Sequence, residues 1–169
     1  MTSDVGASLY QLGLQYQHSG DLLLDHLTGN KEVHLPACFL YSHAAELFMK
    51  SFLALKGANR KQLRSYGHKL ADLYDACGKH GLTISVTNHR VLRQLIVMMQ
   101  SGHSGYEFRY FEESFNTATT SWMRRDLATL AAAVSMEVEN QRKVHEAEAK
   151  AAGLIVFNIP MKIIVGIVP

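Results

Sequence analysis

Apolar residues recur at helical intervals along most of this chain. Leu9, Leu12, Tyr16, Leu23 and Leu27 follow roughly one helical repeat, so residues 6–27 read as a first helix, with Gly20 a point where it bends or breaks. The stretch from Thr28 to Leu35 is polar and holds Gly29-Asn30, a turn signal. Pro36 then stands where the first turn of a helix has no use for an N–H. The second helix, Pro36 to Lys56, carries Leu40, His43, Ala44, Leu47, Ser51, Ala54 and Leu55 on one mostly apolar face, and Gly57 is placed to end it. A basic connector, Arg60-Lys61-Gln62-Leu63-Arg64, is long enough for one short helix. Leu70, Leu73, Tyr74 and Cys77 mark a third main helix that begins near His68 and ends by Gly78 to Gly81.

Asn88 is placed to cap a fourth helix, with Leu92, Leu95, Ile96 and Met99 facing inward and Ser101-Gly102 closing it. A loop then carries His103, Tyr106 and Arg109. No glycine or proline occurs from Tyr106 to Ala152, and Met123, Leu127, Leu130, Ala131, Val134 and Val138 define a long fifth helix. Its later turns, with Glu137, Glu139, Arg142, Lys143, Glu146 and Glu148, are polar enough to project into water. Helices with short connections and one apolar face each predict an all-α fold, an up-and-down bundle of four to five helices over residues 1–152. Residues 153–169 break this pattern. They are β-branched, lack a helical period and read as an apolar, β-prone or disordered tail outside the domain. Such a tail suits a strand that pairs with another chain, an aggregation-prone extension, or a sequence not native to the domain.

Composition narrows the class without naming a function. Hydrophobic residues make up 47% of the 169 and charged residues 19%, which excludes wholesale disorder. The net charge of +2 is too small for a protein that coats nucleic acid. Two cysteines, Cys38 and Cys77, sit in apolar helical segments and read as buried thiols of a reducing compartment rather than a disulfide framework. The N-terminal residues lack a signal-peptide pattern, and no stretch reaches about 18 uninterrupted apolar residues, so a cytoplasmic chain with no membrane span is expected.

Three constellations carry candidate chemistry. His43, Glu46 and Lys50 share one helical stripe. An HxxE pair can put two metal ligands on one face, but one such motif is a weak signal, because di-iron bundles need paired motifs and two further carboxylates that meet in the core. The stripe therefore reads first as a Glu46–Lys50 helical ion pair with His43 packed nearby, a structural polar network. Next, Arg60, Lys61 and Arg64 precede Gly67-His68. An imidazole beside arginines can take a proton from a ribose 2′-OH while Arg64 or Arg60 steadies the phosphate; the same group can simply bind an anion or order its own loop. Third, His103-Ser-Gly-Tyr106-Glu107-Phe108-Arg109-Tyr110 interleaves aromatics with a guanidinium. It can stack a base or clamp a phosphate through His103, Tyr106, Arg109 and Tyr110, or be stapled to the bundle by an Arg109 ion pair with Glu46 or Glu107. Nine histidines are scattered without HExxH or paired-histidine spacing, so the sequence predicts no dedicated zinc site and no cofactor. The Gly-rich and nucleophile-elbow patterns GxxxxGK[ST], GxGxxG and GxSxG are absent.

Read in order, Leu35-Pro36-x-x-Phe39-Leu40-x-x-His43-Ala44-x-Glu46-Leu47-x-x-Lys50-x-x-Leu53, then Gly57, then Gly67-His68-x-Leu70-x-x-Leu73, then Phe108-Arg109-Tyr110, resemble the HEPN (higher eukaryotes and prokaryotes nucleotide-binding) family. The likeness is to its bacterial HEPN-like group, with an AELxxKxxL helix, a GHxL helix start and an RY element, and it covers roughly residues 33 to 113. The resemblance implies a helical bundle, a homodimer and, in many members, a metal-independent endoribonuclease with an Arg, four to six residues and a His. Here Arg64 to His68 leaves three residues between, Arg60 to His68 seven and Arg93 to His103 nine. The resemblance thus implies a dimeric domain that binds RNA, a nucleotide or a protein partner in a bacterial defence or toxin–antitoxin setting, beside a nucleotidyltransferase-like or antitoxin partner. The alternatives are a divergent endoribonuclease using His68 with Arg64 or Arg109, and a purely structural or interaction domain.

Overall fold

The computed structural model describes residues 2–26, 34–104 and 120–152. These residues form six helices: α1 (Thr2–His26), α2 (His34–Leu55), α3 (Arg60–Ser65), α4 (Leu70–Lys79), α5 (Val86–Ser104) and α6 (Thr120–Ala151). No strand occurs among the described residues, and the all-α bundle expected from the periodicity is the observed fold. The 153–169 tail and the Tyr106, Arg109 and Tyr110 positions lie outside the described residues.

α2 is the axis of the bundle. The sequence predicts one apolar face for it, but α1, α3, α4, α5 and α6 all pack against it. A helix that is apolar or small on every side finds its free-energy minimum with neighbours on every side. Between residues 41 and 55 only His43 and Lys50 escape full burial. Phe48 and Met49 are fully inaccessible, and Phe52 and Leu53 nearly so; each such side chain contributes about 1.5–3 kcal/mol by leaving water.

α1 lies antiparallel on α2 along a line of glycines. Gly6, Gly13 and Gly20 recur every seven residues, and a Cβ on them would meet Leu55, Phe48 and Tyr41 at 2.7, 2.7 and 2.9 Å, respectively. Gly20 therefore does not interrupt the helix; it lets the backbone close on the Tyr41 ring. The Ser51 hydroxyl donates to the Gly6 carbonyl at 2.7 Å, which requires the same close approach. Leu12, a member of the apolar repeat, is 40% exposed, whereas Leu9 and Tyr16 of the same repeat pack on the core beside the glycine stripe. Arg124 of α6 forks onto Asp25 of α1, at 2.6 and 3.1 Å, and also meets Asp21 at 3.1 Å. Asp21 in turn accepts from the Tyr41 hydroxyl at 2.8 Å. Arg124 thus ties α6 to α1.

Helix ends follow local chemistry. Gly57, at φ +96°, ends α2: its N–H donates to the Ala54 carbonyl at 3.0 Å and Ala58 N–H to Leu53 at 2.9 Å, a Schellman closure that suits glycine. α5 begins earlier than Asn88. Ser85 makes the two capping bonds, its hydroxyl accepting from Asn88 N–H at 3.4 Å and its carbonyl from His89 N–H at 2.7 Å. α4 has no local side-chain cap at Lys69; the Gln100 side chain of α5 accepts from Ala71 N–H instead, at 2.8 Å. That bond sets the start of α4 against the last turns of α5, where the candidate site lies.

Candidate functional site

Three elements converge on one buried carboxylate. Glu46 comes from the middle of α2, where its side chain is 4% exposed. Lys50, one turn on, reaches Oε1 at 2.5 Å and donates a second bond to the Gly67 carbonyl at 2.9 Å. Gly67 holds φ +56° in the turn between α3 and α4, a left-handed conformation that a side chain disfavours, and so presents that carbonyl to Lys50. The next residue, His68, places Nδ1 at 2.9 Å from Glu46 Oε2. His103 arrives from the last turn of α5 and sets Nε2 at 2.6 Å from the same oxygen. His43, on the Glu46 face of α2, has Nδ1 at 3.9 Å from it.

The two carboxylate oxygens are thus divided. Oε1 belongs to the ammonium of Lys50, and Oε2 faces three imidazoles. Burial alone would raise the Glu46 carboxyl, but the hydrogen bonds from His103, Lys50 and His68, with the Lys50 charge, overcome it and hold Glu46 at about 2. His43 is pushed below its ordinary value, first by burial and then, against the pull of Glu46, by His103, His68 and Lys50. Its ring is walled by the edge of Tyr16, with centroids 4.4 Å apart, and by a parallel Phe39 ring at 6.1 Å. His103 and His68 meet edge-on at 5.2 Å. His103 Nδ1 is buried and has no hydrogen-bond partner among the described residues.

The sequence-derived candidates separate into three groups. His43, Glu46 and Lys50 form the polar stripe expected of them, and His68 joins it. His68 does not begin α4, however. It sits in the turn before Leu70, because Gly67 breaks the chain direction there. His103 was expected in a loop after Gly102, yet α5 runs through Gly102 to Ser104 and buries it to 3% exposure. Its convergence with His43 and Glu46 is what spacing alone missed: one coordinating atom from each lies within 4.8 Å of the others. The hint in sequence was a histidine one turn beyond the inward Met99. Arg64 lies on the exposed side of α3, whereas Tyr106, Arg109 and Tyr110 lie outside the described residues, as does any Arg109 pairing with Glu46.

Chemically, the arrangement is a shielded carboxylate that orients imidazoles, one of them, His68, 43% exposed at the surface. Beside it runs a basic strip. Arg60, Lys61, Arg64 and Lys69 are all exposed, no Asp or Glu occurs between Gly57 and Ala71, and none of the four has an ion-pair partner among the described residues. Cys38 and Cys77 are free and buried, the first pushed up to about 12 by burial and the second raised further, so neither offers a nucleophile to the site. No helix among the described residues is long and apolar enough to cross a membrane. The chain matches no protein-family model, and no curated protein or solved structure is detectably similar to it.

Proposed function

We propose that this chain is a HEPN-like domain that binds RNA through the surface formed by α3 and His68. The carrying observation is the juxtaposition of the half-exposed His68, held by Glu46 at 2.9 Å, with four exposed cations at residues 60, 61, 64 and 69 that have no carboxylate among them. Cations in that state are available to phosphates, and an imidazole fixed in orientation can read a hydroxyl or a base edge. The low net charge of +2 fits a local footprint rather than a coat. The reading includes a homodimer working in bacterial defence or a toxin–antitoxin pair; exposed Val91, Val97 and Met98 on α5 and Trp122 on α6 supply apolar surface for such a contact.

The test is a salt series with single-stranded RNA. Four phosphate contacts give a slope of log K on log salt of about −3. A combined Arg60→Ala, Lys61→Ala and Arg64→Ala variant should flatten that slope to about −1. Absence of RNA binding at low salt, with a nucleotide or a co-purifying protein bound instead, would refute the RNA reading.

One observation favours an enzymatic variant of the same reading. Glu46 accepts the Nδ1 proton of His68, which leaves Nε2 with its lone pair. That nitrogen can take the proton of a ribose 2′-OH, whose oxygen then attacks the adjacent phosphorus and expels the 5′ oxygen, which takes a proton from water, leaving a 2′,3′-cyclic phosphate and a 5′-hydroxyl. Arg64 is the nearest candidate in sequence to clamp the phosphate. RNA cleavage in the presence of a chelator, lost in His68→Ala, is the expected result; intact RNA after prolonged incubation removes this variant and leaves the binding domain.

A further inference from the structure

The polar cluster around Glu46 is not closed on itself. A self-sufficient buried network satisfies each of its members, and a partly satisfied one is less stable than an apolar core. Here three imidazoles crowd one carboxylate oxygen. Two of them reach hydrogen-bond distance, at 2.6 and 2.9 Å, but His43 Nδ1 stops at 3.9 Å. His103 Nδ1, in a side chain that is 1% exposed, has no hydrogen-bond partner among the described residues. In the metal-free chain the contact with Glu46 Oε2 places the His103 proton on Nε2, so a cation would take that proton's place between the ring and the carboxylate.

We propose that His43, Glu46 and His103 bind one divalent transition-metal ion of the zinc class, with a fourth position open on the side of His68. The ligand set is two imidazoles and a carboxylate oxygen, the combination that borderline cations such as Zn²⁺ and Co²⁺ accept with one position left over. The distances fit. Zinc bonds of about 2.0–2.1 Å in a tetrahedron place neighbouring ligand atoms about 3.3 Å apart. Oε2 already has His103 Nε2 at 2.6 Å and His43 Nδ1 at 3.9 Å, and all three ligand atoms lie within 4.8 Å of one another. Bringing the two pairs at Oε2 to that spacing takes shifts of about 0.6–0.7 Å, and the His43–His103 pair closes by at most about 1.5 Å, movements that side-chain rotation supplies.

The surroundings supply what a metal ligand needs behind it. Lys50 holds the opposite oxygen, Oε1, so the carboxylate is already oriented with Oε2 turned towards the imidazoles. The carboxylate is charged at neutral pH, and Tyr16 and Phe39 wall the His43 ring. His68, at 43% side-chain exposure, is the solvent side of the cluster and thus its entry path. Either its Nδ1 or a water completes the tetrahedron. Two ligands three residues apart on α2 and a third from α5, fifty-seven residues beyond Glu46, would make the ion a rivet between the central helix and the end of α5.

The experiment uses the full chain stripped with a chelator, dialysed, free of RNA, and titrated with Co²⁺ and then Zn²⁺. One equivalent of Co²⁺ should bind with the intense visible absorption of a four-coordinate site, and Zn²⁺ should bleach it. His43→Gln and His103→Gln should each weaken Co²⁺ binding at least tenfold, whereas His18→Gln and His145→Gln, at exposed positions, should leave it unchanged. His43→Gln keeps the test valid if the more buried His103 variant fails to fold. Absence of Co²⁺ binding in the folded chain, a six-coordinate spectrum, or affinity indifferent to His43→Gln would each overturn the proposal. None of these outcomes bears on the RNA reading, which is decided by the salt slope of the α3 cations.

Discussion

Replacing Glu46 by glutamine removes one proton-binding site and almost no volume, so its effect isolates the charge. In the folded chain Glu46 is held at about 2 against an ordinary 4.5, which amounts to about 3 kcal/mol of stability at neutral pH. Removing one member of a buried ion pair costs about 3–5 kcal/mol by a separate route of reasoning, because the Lys50 ammonium would lose its counter-charge and keep only neutral acceptors such as the Gly67 carbonyl. The two figures agree, and we expect Glu46→Gln to lose about 3 kcal/mol at pH 7, or roughly 6–12 °C in Tm for a domain of this size. The pH dependence carries the sharper signature. A carboxylate lowered on folding stabilises fully above its unfolded value and ceases to do so as pH falls through its folded one. The gap between the two proteins should therefore be complete above about pH 5, near half at pH 3 and almost gone at pH 2. The remaining carboxylates and the histidines are common to both and cancel to first order. Urea unfolding followed by circular dichroism at pH 7 and pH 3 reads both quantities. A gap below about 1 kcal/mol at pH 7, or an equal gap at both pH values, would refute the reasoning, since it would mean that water rather than the imidazoles and Lys50 solvates Glu46.

Other expectations can be checked with simpler measurements. Gly13→Ala should lower Tm although alanine is the better helix former by about 1 kcal/mol, because its Cβ would sit 2.7 Å from the fully buried Phe48 ring and overpacking costs about 1–3 kcal/mol; a raised Tm would show that α1 can shift off α2. Cys38 and Cys77 should resist a thiol reagent at pH 8 until the chain is unfolded, because burial raises both thiols; labelling of the native protein would contradict their placement. Ser85→Ala should cost about 1 kcal/mol and Asn88→Ala much less, as urea midpoints would show, whereas the reverse order would restore Asn88 as the cap of α5.

Much of the fold was legible because helical periodicity and the chain's breakers agree. Pro36 falls in the first turn of α2, which begins two residues earlier than the sequence predicts, Gly57 ends it, and the apolar repeat of Met123 to Val134 is the buried face of α6. What escaped is the contribution of residues that carry no hydrophobicity. Gly6, Gly13 and Gly20 make the α1–α2 contact by what they lack, so a search for apolar repeats passes over them and includes the exposed Leu12, although it places Leu9 and Tyr16 on the packed side. Arg124 reads as a solvated charge until α1 is placed beside it, since its partners, Asp21 and Asp25, are about a hundred residues away. The site divides along the same line. Glu46–Lys50 is a helical pair at a separation of four and can be read from spacing, whereas His103–Glu46 spans fifty-seven residues and depends on how α5 docks. Gly102 misled in a specific way: glycine weakens a helix by about 1 kcal/mol but does not end one whose turn is buried at that point, as Gly102 and His103 are.

The two readings of the Glu46 cluster make different demands on one residue, and that is the step that orders the experiments. As a base or RNA contact, His68 must keep Nδ1 on Glu46, because only then is Nε2 presented to solvent with a lone pair. As the wall of a metal site, His68 must yield Oε2 to the ion and either coordinate through Nδ1 or swing aside for water. A bound cation would therefore compete with the Glu46–His68 hydrogen bond, while Lys50, on the other oxygen, is indifferent to the choice. It follows that Zn²⁺ should weaken any His68-dependent RNA contact or cleavage and leave the salt slope set by Arg60, Lys61 and Arg64 intact. RNA affinity measured with and without one equivalent of Zn²⁺ separates the cases: a change in intercept at constant slope places both ligands on Glu46, and a change in slope would mean instead that the ion acts on the α3 surface.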